Sequence, residues 1–247
     1  MHSPALHIEH CHPERLVPDE LSWYGKQLYH DHAARYNFAK QFIKNKRVLD
    51  IACGSGYGSL LMVSGNPRSI IGADNSKEAV SYAKERYPHK KIQYIVADAI
   101  KIPLKNSSVD VIVSFETLEH VKDYKKFIKE IQRVLVPGGI LILSTPNKQL
   151  GTEATNPFHF KEFYLDEFAN LLKKEFVECK FYGQKPIHLG YLQSVGKITH
   201  HIPPGRLNWL VDTGFKYFFR GTAVEPITRF RFGFTPSYLI GVAKRKK

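Results

Sequence analysis

Cysteine is scarce in this chain. Three of the 247 residues are cysteine, Cys11, Cys53 and Cys179, an odd number whose spacings match neither a disulfide framework nor a zinc-binding pattern. That excludes a disulfide-stapled secreted scaffold and leaves the thiols as ordinary packing residues of a reducing compartment. The cluster His7, His10, Cys11 and His12 is not followed by a second ligand group at a metal-site spacing, so it reads as a tail and no metal is expected. No run of some eighteen apolar residues is present, which excludes a membrane-spanning helix. The first residues, with His2, His7, Glu9 and His10, lack the apolar centre of a signal peptide, so a cytoplasmic protein is expected.

Acidic residues are also in short supply, 23 against 36 Lys and Arg, for a net charge of +13. Such a balance concentrates anionic partners, whether nucleic acid, acidic lipid or phosphorylated small molecules. Charge alone does not choose among them. Much of the excess falls on predicted helix surfaces, at Lys125, Lys126, Lys129, Lys173 and Lys174, and in Lys244 to Lys247, where a solvated face is the commoner explanation. Internal repeats and low-complexity linkers are lacking, and a 43% hydrophobic content over this length is enough for one domain with a sizeable core.

What the chain does contain is a strand running into a glycine loop: Val48-Leu49-Asp50-Ile51-Ala52-Cys53-Gly54-Ser55-Gly56-Tyr57-Gly58. Alternating glycines let backbone turn tightly and approach a ligand, while the helix that follows offers free N–H groups. A dinucleotide would require G-x-G-x-x-G, but the sixth position counted from Gly54 is Ser59, and the third glycine falls one residue early, at Gly58. Asp50, where strand meets loop, would repel a pyrophosphate. It suits a cationic ligand without phosphate, and S-adenosylmethionine, with its sulfonium, ammonium, ribose and adenine, is one.

Two further apolar runs end in acids. Ser69 to Ala73 leads into Asp74, twenty positions after Gly54, the spacing at which a strand-end carboxylate accepts ribose hydroxyls; Asn75 follows and could touch adenine. Ile92 to Ala97 leads into Asp98-Ala99, where a third carboxylate could accept the adenine amino hydrogens. Aspartate favours strand ends for local reasons. Three in order after this loop are hard to attribute to that preference.

With these motifs the chain resembles the class I S-adenosylmethionine-dependent methyltransferases over nearly its whole length. Ser114-Phe115-Glu116-Thr117-Leu118-Glu119-His120-Val121 looks like the family's segment after its fourth strand, and Arg133 to Asn147 looks like its helix, Pro-Gly-Gly turn and fifth strand. Glu14 to Pro18, His30 to Ala39 and Asn156 to Tyr164 look like the small-molecule branch that often accompanies bacterial glycan biosynthesis, distantly similar to ubiquinone-type O-methyltransferases. The resemblance implies cofactor contacts from Asp50, Ala52, Gly54, Gly56, Tyr57, Asp74, Asn75, Asp98, Ala99 and Phe115. It also implies that Ser237 to Ala243 inserts antiparallel between the fifth and sixth strands.

The coarse pattern agrees, since strands alternate with helices as in a parallel sheet covered on both faces. Helices are predicted after Ser76 (Ala79, Val80, Ala83, Tyr87), before Pro137 (Tyr124, Phe127, Ile128, Ile131, Val134, Leu135) and from Leu165 (Phe168, Leu171, Leu172), each with apolar residues three and four apart. A sixth strand is predicted at Val177 to Tyr182. The expected fold is therefore α/β, a doubly wound Rossmann-like seven-stranded sheet with an antiparallel last strand, forming one domain over residues 1–247. Within it, 1–40 is an N-terminal lid segment, 41–182 the cofactor-binding core, 183–235 a lid insertion, and 236–247 the last strand and basic tail. The aromatic stretch Leu207 to Arg220 is expected to pack on the core, with contact to an acidic membrane surface as an alternative; His200 and His201 are assigned to the same insertion.

Methyl transfer is an in-line displacement, so the protein has to align the acceptor and exclude water. A hydroxyl acceptor also needs a nearby base, and His120, with Glu116 and Glu119 beside it, is the first candidate, with His159 the second. Helix capping for His120 and simple packing for His159 are the competing readings. The Asn/Asp-Pro-Pro-aromatic motif that holds a flipped base is missing at 114–117, where the chain has Ser-Phe-Glu-Thr. A small-molecule, glycan or lipid-linked hydroxyl is accordingly ranked first, a nucleic-acid or protein acceptor second, and a non-catalytic cofactor-binding scaffold third.

Overall fold

The computed structural model describes residues 16–18, 23–150, 157–188, 223–230 and 234–247. The cluster at His7 to His12, the pair His200-His201 and the stretch Leu207 to Arg220 lie outside the described residues.

Among the described residues, eight strands form one sheet in the order β3-β2-β1-β4-β5-β8-β6-β7. β1 (Arg47–Ile51), β2 (Ser69–Asp74), β3 (Ile92–Val96), β4 (Val109–Ser114) and β5 (Leu135–Pro146) pair in parallel. β8 (Phe234–Lys244) runs antiparallel between β5 and β6 (Val177–His188). The short β7 (Val224–Pro226) adds an outer edge on β6, one strand beyond the seven expected. The strand order reverses between β1 and β4, so the chain leaves these neighbours in opposite directions and opens a crevice at their carboxyl ends.

Helices cover both faces because the strands alternate. Val48, Val111, Val113, Ile142, Ile240 and Val242 point to one core, under α1 (Trp23–Ala39) and α2 (Tyr57–Met62). Their neighbours Leu49, Ile112, Leu141, Leu143, Leu239 and Ala243 point to the other, under α4 (Tyr124–Val134) and α5 (Leu165–Glu175). α3 (Lys77–Arg86) buries Val80 and Ala83 against Tyr94. Local chemistry starts the helices: the Ser76 side chain accepts from the Ala79 amide and the Asp123 side chain from the Lys126 amide. The predicted Pro-Gly-Gly turn is taken within β5 as a register shift against β4 between Val109 and Val111, with Gly138 at φ +76. A Cβ on Gly139 would come within 2.9 Å of the Val136 carbonyl and 3.0 Å of the Asp110 carbonyl, which explains the second glycine.

Part of the N-terminal segment is tied to the sheet. Arg35 of α1 donates to Gln184 Oε1 of β6 at 2.7 Å, Gln184 returns a bond to the Asp31 carbonyl at 2.8 Å, and the Arg35 guanidinium lies 4.4 Å from the centre of the Tyr238 ring on β8. Among the described residues no helix is long and apolar enough to cross a membrane.

Candidate functional site

β1 leads into three left-handed residues in alternation, Ala52 (φ 61), Gly54 (φ 55) and Gly56 (φ 87), closed by a bond from the Gly56 amide to the Cys53 carbonyl at 3.1 Å. Glycine accepts this conformation readily, whereas at Ala52 it is strained, on the order of 1 kcal/mol. A Cβ on Gly56 would lie 2.6 Å from that of Ala83 and 2.9 Å from the Tyr94 ring. Gly58 serves packing instead of turning, since a Cβ there would overlap the Tyr36 ring of α1. The misplaced third glycine is thus where α1 and α2 approach each other.

The acids at the strand ends occupy different environments. Asp50 is fully buried, takes bonds from Ser59 Oγ at 2.6 Å and Tyr36 OH at 3.4 Å, and faces the interior. Burial pushes its carboxyl up to about 7, against the pull of the Ser59 and Tyr36 bonds and with a further push from the Asp74 charge. Asp74, 5% exposed, accepts the Gly54 amide at 2.8 Å on one oxygen and the Ser76 amide at 3.0 Å on the other. Asn75 beside it is exposed. Asp98, exposed at the end of β3, accepts the Ile100 amide at 2.9 Å, with Ala99 half-buried next to it. Tyr57 opens α2, buried against the rings of Tyr29 and Tyr36, and Phe115 meets Tyr36 edge-on at 5.0 Å.

Carboxylates only accept when ionised, and each oxygen has two lone pairs. Asp74 therefore keeps acceptor capacity after holding the loop, and Asp98 keeps more. Hydroxyls and amino groups on a cationic, phosphate-free ligand fit these carboxylates, and a phosphate set against them is repelled. The concavity of about 630 Å³ lined by Lys84, Pro88, His89, Lys90, Ile92, Gln93 and Tyr94 opens beside the start of β3, at the opposite end of that strand.

The two candidate histidines meet. Beyond β4 a short 3-10 turn, Leu118–His120, sits under the segment 158–161, because the Glu119 carbonyl accepts the Phe160 amide at 2.8 Å and the Lys161 amide at 3.3 Å. The His120 and His159 rings are 4.8 Å apart, centre to centre, at 77°. His120 Nδ1 faces the Phe158 carbonyl at 3.0 Å, and His159 Nδ1 faces Glu162 Oε1 at 2.8 Å. Glu119 is buried, takes a bond from Thr145 Oγ1 on Oε2 at 2.9 Å, and has Oε1 4.0 Å from His120 Nε2. Burial, and next the Glu116 charge, hold the Glu119 carboxyl well above the usual carboxylate range. Glu116, at φ 49, is bonded to Ser144 Oγ at 2.5 Å and lies 3.9 Å from Arg35 Nε.

Sequence reasoning missed Arg35, Gln184, Ser144 and Thr145. Their only advance signal is a polar residue in an otherwise apolar setting, as in the Leu-Ser-Thr end of β5. The convergence of Glu119 and His120 with His159, 39 residues later, likewise left no spacing pattern to read.

Comparison with known proteins agrees with this geometry. Residues 49–143 match the family described as "Methyltransferase domain". A protein of Mycobacterium tuberculosis described as a probable S-adenosylmethionine-dependent methyltransferase is 34% identical over 166 residues, 64% of this chain and 58% of the relative. A fatty-acid O-methyltransferase of Mycolicibacterium smegmatis is 30% identical over 125 residues, 50% of this chain and 44% of that protein. The chain thus spans less than two thirds of the length of these curated relatives. A crystal structure of a methyltransferase from Thermotoga maritima superposes with a TM-score of 0.61 at 17% identity, covering 90% of this chain and 95% of that one, a likeness of fold alone. The motif residues, the strand order and the family match over residues 49–143 together support a class I S-adenosylmethionine-dependent methyltransferase domain.

Proposed function

We propose that the protein methylates a hydroxyl on a small-molecule, glycan or lipid-linked acceptor. S-adenosylmethionine supplies a methyl on a sulfonium, already activated for displacement. Ala52, Gly54 and Gly56 shape the loop against it, Asp74 accepts ribose hydroxyls, and Asn75, Asp98 and Ala99 receive the adenine. Tyr57 and Phe115 wall the crevice, and Asp50, bonded to Ser59 and Tyr36, positions the strand end from within.

The observation that carries the hydroxyl reading is the gathering of Glu119, His120 and His159 beyond β4. Such a set can take or screen the proton that a hydroxyl must release, a need that an amine acceptor with a free lone pair does not share. The likeness to a fatty-acid O-methyltransferase supports transfer to oxygen, though not a hydroxyl in particular.

The test is calorimetric titration with S-adenosylmethionine and S-adenosylhomocysteine, with NAD as control, followed by mass-spectrometric detection of S-adenosylhomocysteine formed with a panel of hydroxyl acceptors, peptides and RNA. Cofactor binding without NAD binding, and turnover with hydroxyl acceptors, is the expected result. Turnover only with peptide or RNA overturns the acceptor class. Tight cofactor binding with no turnover across the panel favours a scaffold.

A further inference from the structure

The geometry points to a divalent transition-metal site formed by Glu119, His120 and His159. One ligand atom from each residue lies within 4.8 Å of the others. At metal–nitrogen and metal–oxygen bonds of about 2.1 Å, ligands around a tetrahedral ion sit ~3.4 Å apart, so side-chain rotation has to close the widest spacing, up to 4.8 Å, by about 1.4 Å. Two imidazoles and one carboxylate suit zinc, iron, cobalt or nickel better than magnesium or calcium, and three protein ligands leave positions open for an acceptor.

Two features beyond proximity support the assignment. Glu119 Oε1 is buried and has no hydrogen-bond partner, while its twin Oε2 is anchored by Thr145. A buried carboxylate oxygen without a donor is costly, and a cation between it and the histidines offsets that cost. Both imidazoles are also oriented from behind. The Phe158 carbonyl can only accept, so His120 carries a proton on Nδ1, and the Glu162 carboxylate faces His159 Nδ1 in the same manner, which makes Nε2 the nitrogen that each ring would offer to a metal. Metal-ligating histidines are characteristically braced by a carbonyl or carboxylate in this way. The segment carrying His159 is fixed over the turn carrying His120 by the bonds of Phe160 and Lys161 to the Glu119 carbonyl.

The site's use rests on the hydroxyl reading above. There, the cation would make an acceptor hydroxyl more acidic, its proton leaving to solvent as the methyl passes from sulfur to oxygen and neutral S-adenosylhomocysteine departs. Binding of the metal does not depend on that reading.

The experiment treats the full chain with a chelator, removes it, and titrates with Co(II) followed by visible absorption, with bound Zn(II) measured by elemental analysis after dialysis. Wild type is compared with His120→Gln, His159→Gln and Glu119→Gln, and with a triple variant of His7, His10 and His12 to Gln. S-adenosylhomocysteine binding is measured on every sample. One metal per chain, a tetrahedral Co(II) band, and at least tenfold weaker binding in His120→Gln and His159→Gln with cofactor binding retained are expected. Wild-type metal binding in both histidine variants, loss confined to the tail variant, or no retained metal overturns the site. Since the two histidines are partly exposed, their variants keep the test valid should Glu119→Gln fail to fold. Failure of cofactor binding in wild type would instead overturn the proposed function, whatever the metal result.

Discussion

The Gly54 amide donates to Oδ2 of Asp74 at 2.8 Å, so the turn that leaves β1 is fastened to the carboxyl end of β2. The other oxygen of the same carboxylate takes the Ser76 amide, just ahead of α3. One side chain thus joins the glycine loop, the second strand and the third helix at the edge where the cofactor is proposed to bind.

Asp74→Ala removes these bonds and the proposed ribose acceptor together. Cofactor affinity is expected to fall by about 1–3 kcal/mol, roughly 5- to 150-fold, by calorimetry. Asp74→Asn, which keeps one acceptor oxygen, should fall between the two. Unchanged affinity in the alanine variant would remove Asp74 from the cofactor site.

Gly58→Ala puts a methyl into the Tyr36 ring, and α1 must shift to admit it. Overpacking of this kind costs about 1–3 kcal/mol, read as a lower urea midpoint. Adding Tyr36→Leu should recover part of the loss. A wild-type midpoint for Gly58→Ala would contradict the packing role.

Asp50 gives a pH dependence of definite sign. Its folded pKa, about 7, lies above the ordinary carboxylate value, so between the two the folded state binds more protons than the unfolded state. Its contribution to stability therefore falls as pH rises through that window and is level above it. The unfolding free energy of wild type minus that of Asp50→Asn should decrease, by on the order of 1 kcal/mol or more, between about pH 5 and about pH 8. A difference independent of pH would refute the buried, weakly acidic carboxyl.

Arg35→Ala withdraws a fully buried cation from Glu116, Gln184 and the Tyr238 ring. Breaking a buried pair by removing one member typically costs about 3–5 kcal/mol, because the other charge is left uncompensated. A fall in Tm of several degrees is expected. Arg35→Lys should restore little, since an ammonium lacks the flat guanidinium that lies over the Tyr238 ring while Nη1 reaches Gln184. Full rescue by lysine would assign Arg35 a charge-only role.

Much of the scaffold was legible in the sequence. β2 ends at Asp74 as expected, β1 runs one residue past Asp50 and β3 stops two residues before Asp98, while the helix from Leu165 begins there and ends at Glu175. β6 and β8 ran longer than expected, reaching His188 and beginning at Phe234, because their outer halves pair with each other where little apolar patterning marks them. β7 was not foreseen: three residues, Val224-Glu225-Pro226, are too few to show a period.

At the site, the glycine loop and Asp74 and Asp98 were legible because each is a local device, a turn or a strand end. Asp50 was equally visible, but its direction was not. The sequence placed it at the loop, and the packing of Tyr36 and Ser59 turned it inward. The same helix that supplies Tyr36 supplies Arg35, whose partner Gln184 is 149 residues away.

By itself, then, the sequence determined the order of strands and helices, the two-faced core and the cofactor motif, since these follow from periodicity and from backbone preferences of neighbouring residues. Only the tertiary structure decided which buried charges meet, how α1 joins the sheet, and that Glu119, His120 and His159 share one corner. Those relationships depend on distances between segments remote in the chain, and side-chain chemistry at one position carries no record of what will be folded against it.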